Sequence, residues 1–257
     1  MHLTIRGLVL REVSYKESDK ILTLLTDGEG KLTVSARGCR KKGSPIGAAS
    51  QLLVWSEWTL YQYKGRWAAR EALIQRAFDG VRADLEKLAL ASYFAEVADA
   101  LCEEGQPEGA LLSLLLNSLH ALERLAYPPA QVKAAFEWKA MALAGYEPMA
   151  DGCAVCGREP PAEPRINLRE GVVHCAPCRG EVGEGISMPL SLSALSALRH
   201  VVWGDPKRLF SFRLDRGALA QLGGAAEAYL MTQLERGFRT LDFYKSLHLE
   251  TDYDGTV

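Results

Sequence analysis

Hydrophobic and polar residues alternate along much of the first 80 positions, and a period of two is typical of β-strands. The alternation is unbroken in Lys31-Leu32-Thr33-Val34-Ser35-Ala36-Arg37. Turn sequences such as Asp27-Gly28-Glu29-Gly30 and Lys64-Gly65 separate the apolar runs. The predicted strands cover residues 3–13, 21–25, 31–37, 52–63 and 66–74. Five short strands joined by turns favour a small closed barrel of the OB or SH3-like type.

Beyond residue 80 the apolar positions recur every three to four residues, which predicts helices. The predicted helices cover residues 85–101, 111–125, 130–144, 192–203 and 218–244. Gly145 follows the third of these segments, at a position where a glycine commonly ends a helix. The pattern therefore predicts an α+β protein in which an N-terminal β-barrel is followed by an α-helical domain.

The composition is that of an ordinary globular protein. The 257 residues are 48% hydrophobic and 24% charged, with a formal net charge of −2. The N-terminal sequence has no basic region followed by an unbroken apolar stretch, and no apolar run reaches the roughly 20 residues of a membrane span. We therefore expect a cytoplasmic protein with no membrane partner, in a reducing compartment where cysteines are more often metal ligands or core residues than disulfides.

The small net charge results from a cancellation between segments. Residues 1–80 hold 13 Lys and Arg against 8 Asp and Glu, whereas residues 81–150 hold 5 against 10. A balance of +5 on the barrel and −5 on the first helices favours one surface for phosphate and another for a protein partner. A mixed, solvated surface would give the same counts.

Two Cys-x-x-Cys pairs form the most specific motif in the sequence. Cys153-Ala154-Val155-Cys156 and Cys175-Ala176-Pro177-Cys178 are separated by 18 residues. The two-residue gap lets both thiolates of a pair reach one ion at about 2.3 Å, and Gly157 permits the tight turn that this requires. The spacing predicts one structural zinc ion held by Cys153, Cys156, Cys175 and Cys178, with no open position for catalysis.

The other candidate ligands are interpreted as bystanders. His174 adjoins Cys175, but four cysteines already complete a tetrahedral shell. Cys39 and Cys102 have no partner in the sequence and are interpreted as inert small residues. A metal-free pair of cysteine turns stays an alternative, whereas a [4Fe–4S] cluster would need different spacings.

A basic segment follows the third predicted strand. Arg37-Gly38-Cys39-Arg40-Lys41-Lys42-Gly43 carries four cations within six residues, and we expect a mobile loop that neutralises backbone phosphates with salt-sensitive affinity. The candidate nucleic-acid-binding residues are Arg37, Arg40, Lys41 and Lys42. At most two of six nearby aromatic residues are expected to stack on unpaired bases: Tyr15, Trp55, Trp58, Tyr61, Tyr63 and Trp67. The alternative is a solvated charged face beside aromatic barrel core.

Motifs of common enzymes are absent from the sequence. There is no Walker A motif, no Gly-x-Gly-x-x-Gly after a strand, no His-Glu-x-x-His and no Gly-x-Ser-x-Gly. We therefore expect no catalytic residues and no small-molecule substrate. Two further classes stay open beside a DNA-binding protein: a zinc-containing RNA or translation-associated factor, and an adaptor whose barrel scaffolds protein contacts. A hydrolase is the least favoured class.

A series of short motifs extends to about Leu247. They are Gly7-Leu8-Val9-Leu10-Arg11, Ser18-Asp19-Lys20-Ile21-Leu22-Thr23-Leu24-Leu25-Thr26, Gly30-Lys31, Ala36-Arg37-Gly38-Cys39-Arg40-Lys41, Phe136-Glu137-Trp138-Lys139, Leu143-Ala144-Gly145-Tyr146-Glu147-Pro148 and the Cys153/Cys156 pair. In order and spacing these motifs resemble those of the bacterial RecO recombination mediator family. The resemblance implies an OB-fold at residues 1–80, a helical domain at 81–150 and 185–247, a Cys₄ zinc-finger insert at 151–184 and a polar tail at 248–257.

The resemblance also implies a non-enzymatic role in RecF-pathway DNA repair, in the cytoplasm at the bacterial nucleoid. Members of the family bind single- and double-stranded DNA, anneal complementary strands and, with RecR, assist RecA loading onto SSB-coated DNA. Residues 37–42 match the basic strand-end segment that the family directs towards DNA. The four cysteines match a zinc knuckle that some members keep and others have lost.

Overall fold

The computed structural model describes residues 2–124 and 127–253, with side chains through residue 247. These residues form two compact units. The barrel unit comprises residues 2–124 and 238–253, and the cysteine unit comprises residues 127–237. Within the described ranges, no helix is both long and apolar enough to cross a bilayer.

Five strands of the barrel unit close into a barrel in the order β1-β2-β3-β5-β4. They are β1 (His2–Tyr15), β2 (Asp19–Thr26), β3 (Lys31–Ala36), β4 (Trp55–Tyr63) and β5 (Arg66–Arg76). The first half of β1 pairs with β4 and its second half with β2, which closes the sheet. Only β3 and β5 run parallel, and their pairing covers just Val34 with Trp67 and Ser35 with Ala68. The predicted OB-like barrel is confirmed.

The barrel core is formed by the inward-facing half of the alternating pattern. In β3, Leu32, Val34 and Ala36 are buried, whereas Thr33 is exposed. Trp58 is fully buried, and its indole Nε1 donates a hydrogen bond to the carbonyl of Gly7 at 3.1 Å. A closed barrel has one interior, so each strand directs alternate side chains into it.

The strand predicted over 52–63 begins later than expected. β4 starts at Trp55, because Leu53 adopts a left-handed conformation with φ of 63°. Leu53 and Val54 instead bond to the backbone of Val9, with Leu53 N donating to Val9 O at 2.9 Å. The apolar side chains of these two residues are nevertheless buried. The predicted strand began too early because residues 52–54 are apolar, although they lie outside β4.

Seven helices are present in the described residues. They are α1 (Asp79–Arg82), α2 (Leu85–Leu101), α3 (Gly109–Arg124), α4 (Pro129–Leu143), α5 (Leu192–Trp203), α6 (Arg216–Leu234) and α7 (Arg239–Tyr253). In the barrel unit α2 packs against α3 and α7, and in the cysteine unit α4 packs against α5 and α6. The bounds predicted for α2 and α5 are confirmed. Gly145, with φ of 89°, lies just beyond the end of α4 as predicted.

The single helix predicted over 218–244 is wrong. α6 ends at Leu234, where Glu235 adopts a left-handed conformation with φ of 50°, and α7 begins at Arg239. Buried apolar residues such as Leu230 and Leu241 occur on both sides of the break, so the hydrophobic period continues across it. α7 extends through Tyr253 into the segment predicted as a tail, of which residues 254–257 lie outside the described residues. The domain boundaries predicted from the sequence stay a prediction.

A small antiparallel sheet in the cysteine unit carries the second cysteine pair. Its strands, β6 (Pro164–Asn167), β7 (Val172–Cys175) and β8 (Ser187–Pro189), lie in the order β7-β6-β8. Gly171 has a positive φ of 68° in the turn between β6 and β7. β7 ends at Cys175, and a 3₁₀ turn over Ala176–Glu181 presents Cys178.

Candidate nucleic-acid surface and metal centre

The basic loop, residues 37–42, leaves the barrel where β3 ends at Ala36. Its four cationic side chains, on Arg37, Arg40, Lys41 and Lys42, are all exposed. None of the four forms an ion pair with another residue in the described part of the chain. Their charge is therefore available to an anionic ligand.

The backbone of the basic loop is anchored to the turn between β1 and β2. The carboxylate Oδ1 of Asp19 accepts a hydrogen bond from the backbone N–H of Gly38 at 2.7 Å, and this bond lowers the pKa of the Asp19 carboxyl. The N–H of Arg40 donates to the carbonyl of Ser18 at 3.0 Å. Cys39, between them, is buried in the barrel core. The expectation of a mobile loop is corrected to that extent: the backbone is held, and only the cationic side chains extend into solvent.

The turn between β1 and β2 adds Lys16, which the sequence did not single out, beside the candidate aromatic residue Tyr15. Lys16 is exposed, and its Nζ lies 5.4 Å from the centroid of the Tyr15 ring. Tyr15 itself is 51% exposed. Because this turn is bonded to the basic loop, Lys16 and Tyr15 belong to the same surface. The sequence places Lys16 three residues before Asp19, but the role of Asp19 as the anchor of the basic loop is visible only in the structure.

The six candidate aromatic residues differ sharply in exposure. Tyr15 and Tyr63 are more than half exposed, at 51% and 62%. Trp58 is fully buried and belongs to the core, and Trp67 packs against that core while remaining partly accessible. Trp55 and Tyr61 are likewise half-buried. Tyr15 and Tyr63 are thus the two most exposed of the six.

A groove runs beside the short parallel pairing of β3 and β5. It has a volume of about 540 Å³, and its lining includes Ile21, Ser35, Arg66 and Trp67. Arg66 is exposed, while the indole of Trp67 supplies an aromatic wall. Arg66 gave no signal in the sequence, because an arginine after a Lys-Gly turn is an ordinary surface residue. The barrel unit therefore presents a groove along β3 and a basic loop that begins where β3 ends.

The four cysteines of the two Cys-x-x-Cys pairs come together in the cysteine unit. The Sγ atoms of Cys153, Cys156, Cys175 and Cys178 all lie within 4.8 Å of one another, and those of Cys156 and Cys175 are 3.9 Å apart. A tetrahedral ion with Zn–S bonds of about 2.3 Å places its sulfurs about 3.8 Å apart. Gly157 has the positive φ, 70°, that the first turn was expected to need. The group can hold one metal ion.

Backbone N–H groups point at the sulfur atoms of this cluster. The N–H of Cys175 donates to Cys153 Sγ at 3.3 Å, and that of Ala162 donates to Cys175 Sγ at 3.1 Å. Burial raises the pKa of the Cys153 thiol, but N–H groups, first those of Cys156 and Cys175, outweigh burial and lower the pKa to about 6. Burial, with the neighbouring sulfurs, raises the pKa of Cys178 to about 12. Metal binding would require the thiolate form of these ligands, so it would release protons.

His174 lies beside the cluster but outside the group of four. Its ring is buried, with Nδ1 2.8 Å from the carbonyl oxygen of Cys175 and Nε2 2.8 Å from the hydroxyl of Ser187. Both ring nitrogens thus already have hydrogen-bond partners outside the group of four sulfurs. In the barrel unit, Cys39 and Cys102 are buried, and burial raises the pKa of the Cys102 thiol to about 12. Such a thiol is a poor nucleophile and a poor ligand.

Known protein families match both the N-terminal and the C-terminal part of the chain. The family description "Recombination protein O N terminal" matches residues 1–68, and "Recombination protein O C terminal" matches residues 82–242. The DNA repair protein RecO of Symbiobacterium thermophilum is 33% identical over 94% of this chain and 96% of its own length. The DNA repair protein RecO of Acetivibrio thermocellus is 30% identical over 96% of this chain and 97% of its own. The chain belongs to the RecO family of DNA repair proteins.

Proposed function

We propose that this protein is a recombination mediator of the RecF pathway, acting in the cytoplasm at the bacterial nucleoid. It binds single- and double-stranded DNA, anneals complementary strands and, with RecR, assists RecA loading onto SSB-coated DNA. Membership of a DNA repair family supports the general role. The basic loop is the main support for DNA binding in this proposal, because its backbone is anchored while its four cations remain exposed.

Annealing needs phosphates on two strands to be neutralised while base edges stay free to pair. The basic loop suits this task, because Arg37, Arg40, Lys41 and Lys42 hold the phosphate backbone and do not reach into a base pocket. Tyr15 offers an exposed ring on which an unpaired base can stack. The groove lined by Arg66 and Trp67 continues the proposed strand path across the barrel. The bound strand is therefore oriented without being sequestered.

Charge reversal of the basic loop tests this assignment. In an Arg40→Glu, Lys41→Glu, Lys42→Glu variant, DNA affinity falls, and the slope of log affinity against log salt flattens by about 0.9 for each phosphate that the variant no longer neutralises. The matched control reverses three exposed cations of the cysteine unit, Lys207→Glu, Arg208→Glu and Arg213→Glu, with the same change in net charge. Unchanged affinity and slope in the loop variant, or an equal effect in the control, contradicts the assignment.

A strand-annealing assay tests the biological activity. Complementary oligonucleotides are mixed bare or coated with SSB, across a range of salt, and the protein is expected to accelerate duplex formation on both. A matched RNA arm separates an RNA or translation-associated factor, which would prefer RNA. Negligible affinity for DNA at physiological salt would favour the adaptor class. Cleavage of labelled DNA in the presence of divalent metal would reveal a hydrolase.

The four cysteines are proposed to hold one structural zinc ion. The donor set fits, since four sulfurs lie within 4.8 Å of one another and those of Cys153 and Cys175 accept hydrogen bonds from backbone N–H groups. The ion supplies folding free energy and leaves no coordination position for a substrate. Metal analysis of the purified chain is expected to find one zinc per protein, and a metal-free protein of full stability would contradict the proposal.

A further inference from the structure

Arg199 of α5 makes four hydrogen bonds to the segment that carries the first cysteine pair. Its Nε donates to the carbonyl of Ala150 at 2.6 Å, and Nη2 donates to the carbonyl of Asp151 at 2.8 Å. The same guanidinium pairs with both carboxylate oxygens of Glu159, Nη1 with Oε1 at 2.7 Å and Nη2 with Oε2 at 2.6 Å. One side chain therefore binds two separate parts of this segment.

These contacts bracket the first cysteine pair. Asp151 lies two residues before Cys153, and Glu159 lies three residues after Cys156. Between them, the N–H of Cys153 donates to the carbonyl of Arg158 at 3.0 Å, and this bond holds the two ends of the turn over residues 153–158 together. Because both ends of the turn are bonded to one guanidinium, the two thiols are brought towards their binding positions by the helix and not by the ion alone.

The pairing of Arg199 with Glu159 depends on the shape of the guanidinium. A planar guanidinium matches a carboxylate with two parallel hydrogen bonds, which a lysine ammonium cannot reproduce. The hydrogen bond from Arg199 lowers the pKa of the Glu159 carboxyl, so this pair stays ionised through the neutral range. Arg199 also donates to the backbone carbonyls of Ala150 and Asp151, which would otherwise lack this hydrogen-bond partner.

The turn that precedes the strand of the second cysteine pair is held by a different helix. Gln233 of α6 donates from Nε2 to the carbonyls of Leu168 at 2.8 Å and Arg169 at 3.0 Å, at the turn between β6 and β7. β7 leads from this turn to Cys175. Since α5 packs against α6, the two cysteine pairs are attached to two helices that contact each other. An ion that joins the pairs also links these helices.

We propose that Arg199 is a positioning residue for the metal centre: it presets the Cys153–Cys156 turn, so that metal binding and the packing of α5 reinforce each other. The inference rests on the proposed metal site. The coupling is reciprocal, because whatever Arg199 adds to metal affinity the metal adds to the stability of the packed helices. Comparable supporting residues around metal sites change affinity by about 10- to 100-fold when they are replaced.

The test compares metal affinity in the full chain and in three variants. Zinc affinity is measured by competition with a chromophoric chelator, together with the absorption spectrum of the cobalt(II)-loaded protein and the rise in Tm on adding zinc. Arg199→Met is expected to bind zinc about 10- to 100-fold more weakly and to lose most of the zinc-dependent rise in Tm. Arg199→Lys should fall between Arg199→Met and the wild type, because it restores the charge but only part of the hydrogen bonding.

Arg158→Met is the matched control. Arg158 is exposed in the same loop, so its replacement removes one positive charge near the thiolates without touching the contacts of Arg199. Affinity in this variant is expected to match the wild type. An equal loss in both methionine variants would attribute the effect to charge alone and overturn the positioning role. At saturating cobalt, Arg199→Met should retain the tetrahedral thiolate spectrum, and loss of that spectrum would overturn the proposal.

The outcomes separate this inference from the metal site itself. If the wild type binds neither zinc nor cobalt, the metal site is refuted. If the wild type binds zinc and Arg199→Met binds it equally well, only the role of Arg199 is refuted. If Arg199→Met does not fold, a Glu159→Gln variant is tested in its place. This variant weakens the pairing of Arg199 with residue 159 and leaves the hydrogen bonds of Arg199 to Ala150 and Asp151. A smaller loss in the same direction is then expected, and unchanged affinity would overturn the proposal.

Discussion

The carboxylate of Asp19 accepts a hydrogen bond from the backbone N–H of Gly38 at 2.7 Å, and so joins the start of β2 to the basic loop. Gly38 adopts a φ of 65°, a conformation that favours glycine. This contact directs the loop without neutralising Arg40, Lys41 or Lys42 by an ion pair. The proposed DNA surface thus depends on an acidic residue as well as on basic ones.

Two replacements of Asp19 separate its charge from its hydrogen bond. Asp19→Asn and Asp19→Ala both remove a negative charge beside the loop, so electrostatics alone gives both the same gain in DNA affinity. Asparagine keeps an oxygen that accepts from the Gly38 N–H, whereas alanine does not. We expect the alanine variant to bind single-stranded DNA several-fold more weakly than the asparagine variant, as for a hydrogen bond of about 1 kcal/mol. Equal affinities by fluorescence anisotropy would show that the anchor plays no part.

Loss of the second cysteine pair is expected to affect the cysteine unit and spare the barrel. A Cys175→Ser, Cys178→Ser variant should bind no zinc and unfold at lower temperature, because two ligands cannot hold the ion. Its affinity for DNA should stay near that of the wild type, since the basic loop lies in the barrel unit. A chelator should lower the Tm of the wild type and leave the variant unchanged. Identical thermal unfolding of the two proteins would contradict a structural metal.

Glu123 of α3 is expected to make the stability of the barrel unit depend on acid pH. Its Oε2 accepts from Arg76 Nη2 at 2.6 Å and its Oε1 accepts from the N–H of Gly80 at 3.2 Å. Burial raises the pKa of Glu123, but these two partners outweigh it, and the pKa falls below its ordinary value. A lowered carboxyl pKa means that the stabilisation is complete above the unfolded-state pKa and disappears as pH falls through the folded-state value.

Glu123→Gln measures that contribution. The variant should be less stable by about 1.5–3 kcal/mol at pH 7, the range for hydrogen bonds to a charged group. The difference from the wild type should shrink as the pH is lowered through the carboxyl range. Urea unfolding at several pH values checks both expectations. A difference that is constant with pH would assign the effect to packing and not to ionisation.

Lys133 on α4 neutralises two carboxylates inside the cysteine unit. Its Nζ lies 2.7 Å from Glu137 Oε1 and 2.9 Å from Glu227 Oε2, and the Glu137 side chain is fully buried. Lys133→Met leaves a buried carboxylate without this cation and should destabilise the unit by about 3–5 kcal/mol. Replacing both residues, Lys133→Met with Glu137→Leu, should restore part of the loss. Additive losses in the double variant, measured by urea unfolding, would contradict a coupled pair.

Local patterns in the sequence were sufficient to predict several secondary-structure elements. The alternation in β3 and the three-to-four period of α2 predicted their type and much of their burial, because a side chain's face is set by its position within its own element. The Cys153–Cys156 and Cys175–Cys178 spacings predicted a common metal group for a similar reason. Two thiolates three positions apart reach one ion by local geometry alone.

The break between α6 and α7 needed the tertiary structure. Apolar residues keep their helical period across Glu235, where α6 ends, and this period outweighed the local signal of Gly237 two residues later. α7 then packs against α2 of the barrel unit, whereas α6 packs against α4 of the cysteine unit. Periodicity describes which face of a helix is apolar and not which neighbour that face meets.

The sequence by itself thus determined the barrel, most helices, the basic loop as a charged segment and the grouping of the four cysteines. Only the tertiary structure decided that Asp19 anchors Gly38, that Tyr15 is exposed while Trp58 is buried, and that Arg199 brackets the first cysteine pair. Asp19 and Arg199 lie 19 and 46 residues from Gly38 and Cys153, the residues whose environment they shape. Contacts over such separations depend on the path of the whole chain, because barrel closure and helix packing, and not nearest neighbours, bring those side chains together.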